Sequence, residues 1–227
     1  MLLTILLAQS VGAQIVAAPA DISPEARIAI APVAAAIAKV RQAQAVLPPP
    51  KDDAEKLLRM VELEQAPRMA FNQIDPSKIP AADRNNALTA IWQQINSIDE
   101  ANQQALLAML PPEGWFMIDK YGKEASRAAF LIVQHANPEL WRRFAPVLEP
   151  LAAKGEVAGG DFALMYDRLA LSEGRKQRYG SQIKCEGGKW VPLPLEDPEG
   201  VDRRRATLGM APQSEYLAGS ANRPPCG

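Results

Sequence analysis

Apolar residues recur every three or four positions in six successive stretches of this chain, which is the spacing of the buried face of an α-helix. Prolines separate several of them: Pro48-Pro49-Pro50 follows the first stretch, and Asn137-Pro138 divides the fourth from the fifth. The pattern predicts six helices. In order, one ends near Val46, one begins at Asp52 or Asp53, one carries Leu88 to Met109, two cover 123–136 and 139–153, and one runs from Asp161, as its N-cap, to Tyr179-Gly180.

The chain after Gln182 departs from this helical spacing. Residues 181–195 hold Gly187-Gly188 in their middle and Trp190-Val191 after it, which is typical of a β-hairpin. We expect a short helix over 199–208 and a disordered tail after Tyr216. The sequence therefore predicts a mainly α protein: a helical bundle of about six helices with a small C-terminal β-hairpin.

The domain boundaries and the export prediction follow from composition. We expect a helical domain with its hairpin over 51–218, an Ala/Pro-rich linker and accessory helix over 14–50, and a flexible tail over 219–227. Residues 1–13 fit a signal peptide, because a short apolar run is followed by small residues at a cleavage site. This pattern predicts an exported protein, periplasmic or extracellular, with no transmembrane segment after signal removal. A misplaced start or a weak membrane anchor is the alternative, since no basic residue precedes Arg27.

Charge and cysteine content limit which binding partners and which cellular compartment are expected. The formal net charge is -1, so no overall field favours nucleic acid, and the sequence carries no nucleic-acid-binding motif. Cys185 and Cys226 fit an oxidising compartment, in which a disulfide between them would hold the tail to the hairpin. Two unpaired thiols in loops are the alternative interpretation.

Four of the predicted helices share an anomaly, which is an apolar stripe that turns polar partway along. In the third helix, for example, Asp99 and Asn102 occupy inward positions of the apolar register. Because unpaired buried polar groups cost roughly 1–3 kcal/mol each, we expect these side chains to partner one another in a single pocket between helices. The residues are Gln65 and Arg68, Asp99 and Asn102, Gln134 and His135, and Glu173 and Gln177.

Three functions fit such a pocket. The first is binding of a small polar molecule or peptide, with Arg68 or Arg168 meeting a carboxylate or phosphate. The second is a hydrolase-type enzyme, in which His135 is the general base, Asp99 or Glu173 orients it, and Arg68 stabilises negative charge. The third is a structural network that only fixes helix register. The remaining predicted ligand-binding residues are Gln65, Asn102, Gln134, Gln177, Tyr179 and Gln182.

The sequence predicts neither a metal site nor a cofactor. Helical zinc and di-iron sites use several histidines or repeated Glu-x-x-His units, and His135 is the only histidine of the chain. Nucleophile elbows of the Gly-x-Ser-x-Gly type and glycine-rich phosphate loops are also missing from the sequence. A calcium or magnesium site from Asp99 and Glu173 is left open, although the sequence carries no loop signature for one.

Many of the candidate residues fall within a longer succession of short motifs. In chain order these are Glu64-Gln65-x-x-Arg68, Asp99-x-x-Asn102, Gly114-Trp115, Val133-Gln134-His135-Ala136, Asp167-Arg168, and Glu173-Gly174-Arg175-x-Gln177-x-Tyr179-Gly180-Ser181-Gln182. The succession, from about Lys51 to Leu217, resembles a family of uncharacterised bacterial proteins, often exported, that is known as a domain of unknown function. Two positions depart from that pattern: Ser181 stands for the usual threonine, and Phe116 for the usual proline.

The resemblance implies that the motif residues are the defining ones of that family, and it implies no activity. Helical periodicity independently places many of the same residues on inward faces of the predicted helices. The agreement favours a functional pocket over a network that only fixes helix register.

Overall fold

The computed structural model describes residues 22–220, so the predicted signal peptide over 1–13 and Cys226 lie outside the described residues. The described part is mainly helical, with one two-stranded antiparallel sheet near its C-terminal end. This architecture confirms the predicted fold class. Two short 3₁₀ turns, Pro76–Lys78 and Ala81–Asp83, precede the third helix. The elements are α1 (Pro24–Ala45), α2 (Asp53–Phe71), α3 (Arg84–Ala108), α4 (Ile118–Tyr121), α5 (Lys123–Gln134), α6 (Pro138–Ala153), α7 (Gly159–Ser172), β1 (Ile183–Glu186), β2 (Lys189–Pro192), α8 (Val201–Ala206) and α9 (Gln213–Ser220).

Short polar side chains fix where several helices begin. Ser23 caps α1, and Asp52 caps α2 by accepting from the backbone N–H three residues later at 2.8 Å. Asn137 caps α6 in the same way at 3.1 Å, and Pro138 then occupies the first helical position, where its missing N–H is not needed. Of these capped helices, α2 carries Gln65 and Arg68 of the predicted pocket, whereas α3 and α5 begin without a side-chain cap.

Two hydrophobic clusters hold the helices together. The larger one includes the fully buried rings of Trp115, Phe116, Phe130, Phe144 and Phe162, contributed by α5, α6, α7 and the loop before α4. Burying each large apolar side chain of this kind stabilises the fold by about 1.5–3 kcal/mol. The second cluster packs α1 against α3 and the 3₁₀ region, so the helix predicted as an accessory segment shares a core with the helix that carries Asp99.

The central helix is α5, which contacts α2, α3, α4, α6 and α7. Its buried face carries Ala125, Ala128 and Ala129, and these small side chains allow neighbouring helices to approach closely. The helix ends at Gln134, and His135 is its C-cap residue. His135, the only histidine of the sequence, therefore lies at the corner between α5 and α6, next to α2.

The sixth predicted helix differs at both ends from the structure. Its N-cap is Ala158 and not Asp161, which lies in the first turn of α7. The helix stops at Ser172, seven residues before the predicted end, because Gly174 takes a positive φ of 72° and the following segment turns back. Asp167 in α7 holds that segment by accepting hydrogen bonds from three of its backbone N–H groups. Gln177 therefore lies in extended chain and not on a helix.

The hairpin forms as predicted, with Cys185 in β1 opposite Trp190 in β2. Gly187 and Gly188 both take positive φ at its turn, a conformation that favours glycine. Cys185 is not a free thiol. The predicted disorder after Tyr216 is corrected for residues 217–220, which belong to α9.

Candidate functional site

The first pair of the site joins α2 to the corner after α5. Glu64 is fully buried on α2, and one of its carboxylate oxygens, Oε1, is hydrogen-bonded to Nδ1 of His135. The imidazole is only partly enclosed, since 20% of the side chain is exposed. No described residue partners the second ring nitrogen, Nε2. A buried carboxylate thus holds one side of the histidine and leaves its other nitrogen available.

The second pair joins α2 to α3. Nη2 of Arg68 donates to Oδ2 of Asp99 at 2.7 Å, and both side chains are largely enclosed, with 15% and 7% exposed. Nη1 of the same arginine donates to the backbone oxygen of Glu64 at 2.9 Å and lies 3.9 Å from its Oε1. Arg68 therefore links the two carboxylates, and both of its terminal nitrogens are used within the protein.

The cluster carries more negative than positive formal charge. Two carboxylates, Glu64 and Asp99, face one guanidinium, so the formal charge is negative unless a proton is bound. Burial raises the pKa of the Asp99 carboxyl above its ordinary value, Arg68 offsets part of that effect, and the charge of Glu64 adds to it. The arrangement holds negative charge close to the imidazole of His135.

Three buried polar atoms of the cluster have no hydrogen-bond partner among the described residues: Oε2 of Glu64, Oδ1 of Asp99 and Nε2 of Gln65. Buried polar atoms in folded proteins are nearly always paired, and each exception requires an explanation. Asn102, by contrast, donates to the backbone oxygen of Met60 at 3.1 Å and thereby ties α3 to α2. Two of these unpaired atoms are carboxylate oxygens of the cluster, and the third belongs to Gln65, the neighbour of Glu64 on α2.

The other predicted residues on α5 and at the end of α7 make no described hydrogen bond to this cluster. Glu173 lies at the C-terminal end of α7, where it pairs with Arg142 at 2.8 Å and with Arg175 at 2.5 Å. None of its described contacts reaches His135. Arg168 is partly buried on α7, and burial lowers the pKa of its guanidinium. Gln134 is buried in the last turn of α5, directly before His135.

The residues of the final motif bind backbone groups near the hairpin and make no described bond to the polar cluster. The side chain of Gln177 donates to the backbone oxygens of Gln182 and Leu193 and accepts from the backbone N–H of Gln182. Asp167 accepts from the backbone N–H groups of Arg178, Tyr179 and Ser181, which form the segment between Gln177 and Gln182. These contacts fasten the start of the hairpin to α7.

The ring of Tyr179 is buried against Phe162 and Tyr166. Its described contacts therefore lie in the aromatic core around α7, apart from the polar cluster.

Sequence reasoning placed Arg68, Asp99 and His135 in one site but gave Glu64 no role. The signal was available, because Glu64 lies seven residues after the buried Leu57 and four before Arg68 on the same helix. Asp167 was likewise noted only as part of a motif, although it is fully buried and makes three hydrogen bonds.

The described residues thus define a helical protein with a carboxylate-backed histidine at a helix corner. The chain belongs to the family of unknown function DUF6624, which matches residues 50–221. This match confirms the resemblance drawn from the motifs. No curated protein and no solved structure matches the chain. Within residues 22–220, no group of three or more histidine, cysteine or acidic side chains is placed to hold a metal ion, and no helix is long and apolar enough to cross a membrane.

Proposed function

We propose that this protein is a hydrolase-type enzyme in which His135 is the general base and Glu64 orients it. The observation that carries the proposal is the hydrogen bond from Nδ1 of His135 to the fully buried Glu64, with Nε2 left unpartnered on a partly exposed ring. A histidine is well suited to proton transfer near neutral pH. A carboxylate on Nδ1 fixes the tautomer in which Nε2 carries the lone pair.

The chemical step follows from that tautomer. Nε2 would take a proton from a water molecule while the water oxygen forms a bond to an electrophilic carbon of the substrate. The bond from this carbon to the leaving group then breaks, and the imidazolium returns its proton to that group. Glu64 stabilises the positive charge that develops on the ring between these two events.

The geometry changes the role assigned to Arg68. The sequence suggested that Arg68 would meet an anionic ligand or stabilise negative charge on a substrate. Both of its terminal nitrogens are instead engaged with Asp99 and with Glu64. We therefore assign Arg68 a positioning role: it holds the Glu64 backbone and the Asp99 carboxylate, and through Glu64 it fixes the imidazole.

The second candidate is a binding module without turnover. It is favoured by the unpaired buried atoms Oε2 of Glu64 and Oδ1 of Asp99, which are acceptors and would suit a ligand that carries N–H or O–H donors. Such a ligand would need a small movement of the enclosing side chains to reach them. In this case His135 would contribute a contact but no chemistry.

One experiment separates the two candidates. The wild-type protein is screened by thermal shift against small polar metabolites and short peptides, and each stabilising compound is then incubated with the protein and analysed by mass spectrometry for hydrolysis. We expect product with the wild type and none with His135→Ala, while Glu64→Gln should lower kcat more than it changes KM.

Glu173→Gln is the matched control, because it removes a surface carboxylate at the end of α7. If Glu173→Gln abolishes hydrolysis while Glu64→Gln does not, the assignment of Glu64 is wrong. A compound that binds the wild type and is never converted, with binding weakened in His135→Ala, would favour the binding module.

Export is also proposed, on the apolar pattern of residues 1–13 alone. The measurement is N-terminal sequencing of the protein recovered from a secreting host. A mature chain that begins near residue 14 in the exported fraction is expected. An intact N-terminus in the cytosolic fraction would refute the proposal.

A further inference from the structure

A cleft of about 350 Å³ lies between α3 and the start of α6. Its volume falls in the range of small-molecule sites, which measure roughly 300–1,000 Å³. Asn137 lines the cleft and follows His135 by two residues, so the two backbones are separated by at most about 7 Å. The cleft is therefore next to the corner that carries the proposed base.

The α3 side of the cleft carries polar side chains that do not bond to other parts of the described protein. Glu100, Gln103 and Gln104 line the cleft and make no described hydrogen bond or ion pair. A glutamine amide carries two donors and one acceptor. Each of these amides can therefore pair with a peptide unit, which offers one donor and one acceptor of the same kind.

The α6 wall adds charge and an apolar surface. Glu139 and Arg143 line this side, and with Glu100 they give the cleft two carboxylates against one guanidinium. Leu107 of α3 and Leu140 of α6 also line the cleft and are partly buried. The balance of charge disfavours a phosphorylated ligand, and no aromatic ring lines the cleft for a nucleobase to stack on.

We propose that this cleft binds a short peptide through its free N-terminal end. The α-ammonium group is held by the carboxylates of Glu100 and Glu139, peptide units pair with the amides of Gln103 and Gln104, and an aliphatic side chain packs on the two leucines. The inference deepens the proposed function by naming its substrate class, and it rests on that function only for the hydrolysis of the bound peptide.

The test measures binding by isothermal titration with the tripeptide leucyl-glycyl-glycine and with its N-acetylated form. We expect the free tripeptide to bind and acetylation to weaken binding at least tenfold, because it removes the positive charge. The double variant Glu100→Gln with Glu139→Gln should weaken binding of the free form by a similar factor and remove the preference between the two forms.

Gln93→Ala is the matched control for Gln103→Ala. Both side chains lie on α3, and their separation of ten positions corresponds to about 15 Å along the helix. Only Gln103→Ala should weaken binding. Equal binding of the two peptide forms, or no binding of the free tripeptide at millimolar concentration, would overturn the inference.

His135→Ala separates this inference from the proposed function. The cleft side chains are intact in that variant, so tripeptide binding should persist while hydrolysis is lost. Binding without any hydrolysis by the wild type would leave the cleft assignment standing and refute the enzymatic proposal. Hydrolysis of a substrate whose KM is unchanged by Glu100→Gln with Glu139→Gln would refute the cleft assignment and leave the catalytic one standing.

Discussion

Replacing Arg68 tests how much the polar cluster contributes to the stability of the fold. The guanidinium lies 2.7 Å from the Asp99 carboxylate, and the two side chains are 15% and 7% exposed. In Arg68→Met the apolar part of the side chain is retained and Asp99 is left buried without its cation. Loss of one partner from a buried ion pair costs about 3–5 kcal/mol.

We expect a value near the lower end of that range. Burial already raises the pKa of Asp99, so in the variant the carboxyl can bind a proton and relieve part of the penalty. A loss of about 3 kcal/mol lowers the melting temperature of a protein of this size by roughly 6–12 °C. The double variant Arg68→Met with Asp99→Leu removes both charges and should recover most of that loss, because apolar replacements of buried ion pairs are often neutral.

The assay is urea denaturation at pH 7 followed by circular dichroism, for both single variants and the double variant. The ion pair between Lys120 and Glu113 is the control, since its length of 2.8 Å is nearly the same while its side chains are 49% and 40% exposed. Solvent screens such a pair, so Lys120→Met should leave the midpoint almost unchanged. If Arg68→Met shifts the midpoint no further than Lys120→Met does, burial is not what makes the Arg68 pair stabilising. A double variant as unstable as Arg68→Met would show that lost packing, and not charge, causes the effect.

Three further predictions concern single residues, and each is tested by the midpoint of urea denaturation. Burial raises the pKa of Asp99 above 3.8, so the contribution of this carboxyl to stability is present below that pH and is lost as pH rises through the raised pKa. Asp99→Asn should therefore gain stability relative to the wild type as pH rises from 3.8, and a constant difference would contradict this. Asp167→Ala leaves three backbone N–H groups unpaired, two of them buried, and should cost about 3 kcal/mol or more. A loss under about 1 kcal/mol would mean that water replaces the carboxylate. Gly180→Ala places a Cβ 2.1 Å from Nε2 of Gln213, while the Cβ of Gly174→Ala meets no atom within 4 Å. Because both glycines have positive φ, each variant should lose about 1–2 kcal/mol of stability from backbone strain. A larger loss is expected only at Gly180.

Helix faces could be predicted from the sequence because periodicity is a local property. Asp99 and Asn102 fall on the inward register of α3, and both are buried in the structure. The pattern does not specify which residue of another helix each side chain meets. Glu64 was missed for that reason: Gln65 and Arg68 were assigned to the inward face of α2, whereas Glu64 is its fully buried polar residue and Gln65 is only partly buried.

The end of α7 shows a different limit of sequence reasoning. Periodicity continued through Glu173 and Gln177, so the helix was extended to Tyr179. The helix ends before Gly174, whose positive φ turns the chain back. The segment that follows is then held by tertiary hydrogen bonds to the side chains of Asp167 and Gln177. The sequence carries the glycine signal for this helix end, but no local signal predicts the tertiary partners of Gln177.

The two groups of motif residues therefore differ in whether the fold alone accounts for their residue types. Asp167 and Gln177 bond backbone groups, and fastening the hairpin accounts for their residue types. Glu64 and His135 bond each other, yet Nε2 of the histidine is left without a partner among the described residues. A network built only to fix helix register would gain nothing from an imidazole with one free nitrogen at the surface, since an amide could hold the same carboxylate. This difference makes His135, and not the cluster as a whole, the residue whose replacement by glutamine should preserve folding and abolish function.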